Sequence, residues 1–195
     1  RPSAPGISHV PHDPSTPPGP NPTGASRSPR GAPGRTGART PLRVLVTAGP
    51  THEPIDAVRF LGNRSSGRLG VAVADEAARR GCAVTLLLGP TPRRPSDSRV
   101  AVARFQTTSN LEALLAEHLP RCDVLIMAAA VADYRPRVPP GQLGGKLKRE
   151  GGSLTLELEP TPDQIALCSE RRRSDQLLVG FALEPRDRLM SSARD

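Results

Sequence analysis

Three short runs, residues 42–48 (LRVLVTA), 83–88 (AVTLLL) and 123–129 (DVLIMAA), constrain this chain more than any other feature. Each is apolar along most of its length, with no regular polar alternation. That pattern belongs to strands covered on both faces, as in a parallel sheet. A weaker run at 100–105 and another at 177–182 read as two further strands. The segments between them carry helical spacing. Residues 66–80 place Leu69, Val73 and Ala77 on one face, with Ser66 as the expected N-cap and Gly81 as the stop. Residues 110–119 form a second helix. Residues 161–172 form a third, with Pro162 at its first helical position. Alternation of strand and helix predicts an α/β fold with a mostly parallel sheet and helices on both faces. The rhythm changes at 145–149 and 153–159, where apolar and polar residues alternate around Glu150, Gly151 and Gly152. This predicts a protruding, half-exposed β-hairpin. Residues 184–195 begin a further helical stretch.

Composition divides the chain. Residues 1–41 hold eleven Pro, five Arg and one Asp, with almost no large apolar side chain. Such a segment buries too little surface to offset its ordering entropy, so a disordered Pro/Arg-rich tail is expected, followed by one domain over 42–195. The net charge of +8 splits evenly: the tail carries +4, and the remaining 22 basic and 18 acidic residues give another +4. An excess that small, with only 2% aromatic residues, supplies neither a phosphate-tracking surface nor stacking platforms. Nucleic-acid binding is disfavoured, and an anionic small molecule suits the charge. No apolar stretch approaches the roughly 20 residues of a membrane span. Cys82, Cys122 and Cys168 show neither metal-ligand nor disulfide spacing and read as reduced structural thiols, which suits a cytoplasmic protein.

Three stretches have the character of a site. The first joins the opening strand to the first helix, GPTHEPIDAVRFLGNRSSGRLG over 49–70. It is far longer than an ordinary strand-to-helix connection, and it leaves the carboxyl end of a parallel strand, where open α/β sheets bind ligands. Ser65, Ser66 and Gly67 at the helix start could hold a phosphate with backbone N–H groups and hydroxyls. Alternatively Ser66 only caps the helix. No Gly-x-Gly-x-x-Gly follows the first strand, and no acidic residue ends the second, which disfavours a dinucleotide enzyme. The second stretch is MAAAVADYR over 127–135. Its small Ala128 and Ala129 let a flat ring approach the backbone, and Asp133 offers a carboxylate to a hydroxyl donor or simply caps a turn. The third is GGKLKR over 144–149. Lys146 and Lys148 alternate with Leu147, so on a strand both would share one face and could clamp a triphosphate. A merely solvated strand face is the alternative.

In order along the chain, VLVTAGPTHEPIDAVRFLGNRSSGRLG, AAAVADYRP, GKLKRE, PDQI and VGFALE resemble the phosphopantothenate–cysteine ligase domain of coenzyme A biosynthesis, over about 42–184. In many bacteria that domain is the C-terminal half of a bifunctional decarboxylase/synthetase. The resemblance implies a Rossmann-like fold and a homodimer formed partly through the hairpin region. It also implies a cytoplasmic, Mg²⁺-dependent ligase that joins phosphopantothenate to cysteine using CTP or ATP as co-substrate. A carboxylate oxygen attacks the α-phosphorus, and the cysteine amine then displaces the nucleotide from the acyl-nucleotide. By position, Asn63 would handle the acyl-nucleotide step. Met127, Ala128 and Ala129 would line the base. Asp133, Lys146, Pro162, Asp163, Gln164, Ile165 and Phe181 would complete the nucleotide site, with Lys148 beside Lys146. Thr161 and Pro185 stand where the family usually has Asn and Thr. The family continues beyond Glu184 with further nucleotide-facing lysines, and its decarboxylase half would precede Leu42. The expectation is therefore a ligase domain without its C-terminal segment, with an inactive fragment or bare nucleotide-binding module as the alternative.

Overall fold

The computed structural model describes residues 40–138, 142–148 and 151–181. Its centre is a five-stranded, wholly parallel sheet in the order β5-β4-β1-β6-β9. These strands are β1 (Arg43–Pro50), β4 (Ala83–Leu88), β5 (Ala101–Arg104), β6 (Val124–Ala130) and β9 (Leu177–Gly180). The helices are α1 (Arg68–Arg79), α2 (Thr108–His118) and α3 (Gln164–Arg171). The expected α/β class and all five expected sheet strands are present, with helices on both faces.

Side-chain alternation on β1 builds two cores. Val44, Val46 and Ala48 face α1 and pack with Val71, Ala74, Ala78, Leu86 and Leu88. Leu45 faces the other way, with Leu87, Leu125, Leu111 and Leu115 and with Cys168 of α3. Each fully buried leucine contributes about 1.5–3 kcal/mol relative to exposure. Both faces of β1 are apolar because both are covered.

The cap positions depart from expectation. Gly67, not Ser66, caps α1, with φ of 71° in the left-handed region. A Cβ there would also sit 3.3 Å from the Gly49 nitrogen and from Thr91 Cγ2, so this turn is closed tightly on the end of β1. Thr107 caps α2 in a capping box with Asn110, so the helix begins two residues before the expected start. In α3 the cap is Asp163, whose Oδ1 accepts from Ile165 N at 2.9 Å and Ala166 N at 3.1 Å, so Pro162 lies outside the helix.

The expected hairpin does not form among the described residues. Neither Lys146–Lys148 nor Ser153–Glu157 is strand. Instead β8 (Leu158–Pro160) pairs antiparallel with β7 (Tyr134–Pro136), Arg135 opposite Glu159. The alternating pattern around Gly151 and Gly152 was misleading because the strand's partner is distant in sequence. A second small antiparallel pair, β2 (His52–Pro54) with β3 (Phe60–Gly62), lies inside the long first loop, its His52 and Phe60 rings stacked 3.7 Å apart. The expectations for residues 1–39 and for 184–195 lie outside the described residues, as does Pro185.

Candidate nucleotide-binding site

The strand order reverses direction between β1 and β6. Their carboxyl ends, Gly49 beside Ala129 and Pro50 beside Ala130, mark the topological switch point where open α/β sheets hold ligands. The switch point is held by side-chain oxygens from β1 and the loop after it. Thr47 Oγ1 accepts from Ala129 N at 3.1 Å, and Thr51 Oγ1 accepts from Ala132 N at 2.9 Å. Glu53 is buried and accepts from both Thr108 N and Thr108 Oγ1 at 2.7 Å, tying the first loop to the start of α2. The charge is stabilised there by the free N–H groups of the helix.

A cleft of about 270 Å³ opens beside β6. Its floor is Met127, Ala129 and Val131; one wall is Thr161, Pro162, Asp163, Gln164 and Ile165 at the start of α3; and Gly180 and Phe181 close the end. Asp133 lies at its edge. Eight of the expected residues therefore converge: Met127, Ala129, Asp133, Pro162, Asp163, Gln164, Ile165 and Phe181. Ala128 does not line the cleft. It alternates with Met127 and Ala129, so it projects from the opposite face of β6. Sequence reasoning missed Val131 and Gly180, and it took Thr161 only as a departure from the family pattern. The Thr161 hydroxyl donates to Ala132 O at 2.5 Å, and its N–H donates to Asp133 O at 2.9 Å. The substituted residue thus fixes the strand end that carries Asp133.

Asn63 reaches the same rim. Its Nδ2 donates to Val131 O at 2.8 Å, across 68 positions of sequence. Ser65, Ser66 and Gly67 occupy the separate turn at the start of α1, beside Gly49. Thr91 Oγ1 donates to Ser66 O at 2.8 Å there, while the serine hydroxyls make only long contacts to Gly67 N and Arg68 N, both 3.4 Å. This turn closes against Gly49 at the carboxyl end of β1, and a helix start there is suited to an anion.

Lys146 and Lys148 are exposed and do not line the cleft. Their segment is fastened to the first loop instead. Asp56, whose side chain is wholly buried, accepts from Val58 N, Arg59 N, Arg59 Nε and Leu147 N. The Arg59 guanidinium holds its carboxyl well below the usual carboxylate range. No group of three or more His, Cys, Asp or Glu side chains is disposed to hold a metal among the described residues. No described helix is long and apolar enough to cross a membrane.

This chain is similar to several known proteins. It is 43% identical over 151 residues to a protein of an unknown prokaryotic organism named cysteine/cysteine sulfinic acid decarboxylase, covering 77% of this chain and 41% of that protein. It is 43% identical over 152 residues to the coenzyme A biosynthesis bifunctional protein CoaBC of Mycobacterium bovis, covering 74% of this chain and 35% of that one. The chain thus spans less than half the length of these relatives. The solved C-terminal domain of a coenzyme A biosynthesis bifunctional protein CoaBC superposes with a TM-score of 0.66 at 35% identity, over 78% of this chain and 70% of the domain. Residues 40–195 match the family model described as the DNA/pantothenate metabolism flavoprotein C-terminal domain, and the chain belongs to that family.

Proposed function

We propose that this domain is a phosphopantothenate–cysteine ligase that activates its acid substrate as an acyl-nucleotide. The observation that carries the reading is the convergence of Met127, Ala129, Asp133, Phe181 and the start of α3 on one cleft at the switch point, with Asn63 bonded to its rim. The match to the CoaBC C-terminal domain, together with the ordered motifs from VLVTAGPT to VGFALE, supports the same chemistry.

In this reading the cleft takes the nucleotide. The base lies over Met127 and Ala129, where small or flexible side chains allow close approach, and Phe181 covers its edge. Asp133 accepts from ribose hydroxyls. The phosphates run out of the cleft, and Lys146, seconded by Lys148, on the segment tied to the first loop, neutralises charge developing on the triphosphate. The turn of Ser65, Ser66 and Gly67 holds a further phosphate. A carboxylate oxygen of phosphopantothenate attacks the α-phosphorus and pyrophosphate leaves. The cysteine amine then attacks the acyl carbon, and nucleoside monophosphate departs. Asn63 donates to the carbonyl oxygen as it becomes an oxyanion. Preorganised donors of this kind are worth about 10²–10³ in rate.

Mg²⁺ would be held largely by the substrate's own phosphates and would supply charge neutralisation there. Asp133 and Asp163 are the carboxylates that line the cleft. CTP or ATP serves as co-substrate, the working form is a homodimer, and the compartment is the cytoplasm. The domain is taken as residues 42–195.

The test is incubation of the protein with phosphopantothenate, cysteine, Mg²⁺ and either CTP or ATP. Pyrophosphate release that requires phosphopantothenate, with phosphopantothenoylcysteine seen by mass spectrometry, is the expected result. Nucleotide binding by calorimetry with no pyrophosphate from either nucleotide would reduce the domain to a binding module.

A further inference from the structure

Among the described residues, Asp56 is the most heavily engaged side chain outside the cleft. Its carboxylate is buried, yet all its partners come from two segments that are otherwise far apart in sequence. Val58 N at 2.8 Å, Arg59 N at 2.7 Å and Arg59 Nε at 3.0 Å come from its own loop. Leu147 N at 3.0 Å comes from 91 residues further on. Two more bonds run alongside. Ala57 N donates to Gly145 O at 3.2 Å, and Arg59 Nη2 donates to Leu147 O at 3.3 Å. Leu147 thus has both its N–H and its C=O held by the Asp56–Arg59 pair. The residues on either side of it are Lys146 and Lys148.

A buried carboxylate without these donors would be costly. The arrangement is therefore a clamp with a defined geometry. One end of the clamp loop continues through β3 to Asn63, which bonds the cleft rim at Val131. The other end grips the lysine segment. Both candidate chemical groups are referred to one buried charge.

We infer that Asp56 is a positioning residue, which through Arg59 and the Leu147 backbone sets the lysine segment relative to Asn63 and the nucleotide cleft. This inference rests on the ligase reading for its chemical consequence, though not for the clamp itself. Asp56 touches no substrate in this account. It fixes where Lys146 stands when negative charge accumulates on the triphosphate. An Asn at this position keeps the size but replaces one acceptor oxygen by a donor, which then opposes either the Leu147 N–H and the guanidinium, which share Oδ2, or the Val58 and Arg59 N–H groups, which share Oδ1.

Two measurements separate the parts of the inference. Amide hydrogen exchange on the unaltered protein should show Leu147 protected well beyond its neighbours, although the segment is not in a strand. In Asp56→Asn the same amide should exchange at least tenfold faster while the amides of β1 and β6 stay unchanged. An unprotected Leu147 in the unaltered protein would remove the clamp, whatever the enzyme does and whether or not the variant folds. The second measurement is the nucleotide-dependent half-reaction, followed by pyrophosphate release. Asp56→Asn should lower kcat for activation by tenfold or more with less than threefold change in the KM for nucleotide. Combining it with Lys146→Gln should cost little more than either change alone. Additive effects, or a loss confined to KM, would overturn the positioning role. If the unaltered protein releases no pyrophosphate, the ligase reading fails and the exchange result still decides the clamp.

Discussion

The carboxamide of Asn63 donates through Nδ2 to the carbonyl oxygen of Val131 at 2.8 Å, joining the first loop to the end of β6. One donor hydrogen is committed to the protein, and the second remains to meet a substrate oxygen. A carboxylate can do neither. Asn63→Asp should therefore leave acyl-nucleotide formation within a fewfold of normal and reduce amide formation by about 10²–10³. Trapped acyl-nucleotide should accumulate, visible by mass spectrometry of quenched reactions. Failure at the activation step instead would reverse the role given to this residue.

Gly180 closes the cleft because it has no side chain. A Cβ there would collide with Ile165 Cδ1 of the opposite wall. Gly180→Ala forces Ile165 to rotate or the α3 start to withdraw. Ile165 is exposed and Cδ1 is the free end of its side chain, so stability should change by less than about 1 kcal/mol, by urea denaturation. Nucleotide affinity should fall by more than the same change produces at the exposed Gly144, which has no neighbour within reach.

The three thiols should differ sharply toward alkylating agents. Cys122 and Cys168 are buried, and burial pushes the Cys168 thiol up to about 11 and raises that of Cys122 as well. A thiol in that condition holds almost no thiolate at neutral pH. Cys82 is only half-buried. Iodoacetamide at pH 8 should modify Cys82 first, and the other two only on denaturation. Peptide mapping checks the order.

Acid should destabilise the fold over a narrow window. Glu76, Asp97 and Asp123 are each held down to about 2 by hydrogen bonds from Arg79, Arg99 and Arg43 respectively, and Asp56 lies lower still. A depressed carboxylate contributes stability above its unfolded value near 4, and that contribution is lost as pH falls through the folded value. The melting temperature should therefore be nearly flat from pH 7 to 5 and fall from about pH 4 to 2. Asp123 also accepts from Arg43 N at 2.8 Å and joins the starts of β1 and β6. Asp123→Asn should lower the plateau and flatten the acid limb, since one of the titrating groups is gone.

The parallel strands were readable because burial on both faces leaves few polar positions to blur the pattern, as along Val44 to Val46. The cleft was legible in two ways. The small residues at the end of β6 marked one side, while Pro162, Asp163 and Phe181 came only from their positions in the family's motifs. Gly180 and Val131 carry no such mark, since their part depends on what stands opposite. The lysine segment was misread because alternation of Lys146, Leu147 and Lys148 looks like a strand face. What decides its course is a carboxylate 91 positions earlier, and no local pattern reports that. Ser66 lost the helix cap to Gly67 because the turn must press against Gly49, where a left-handed residue closes the bend.

The position of β1 at the middle of the sheet has a consequence for how the protein is made. Val44 pairs with Val84 on one side and with Val124 on the other. The ribosome therefore completes β1 about eighty residues before its second partner, a delay of roughly 4–16 s at typical elongation rates. During that interval Val44, Leu45 and Val46, all buried in the finished fold, have only part of their cover. Long-range parallel pairing of this kind also closes slowly once the segments are available. The nascent chain, rather than the finished domain, is the form in which this apolar strand is open to a chaperone or to a neighbouring copy.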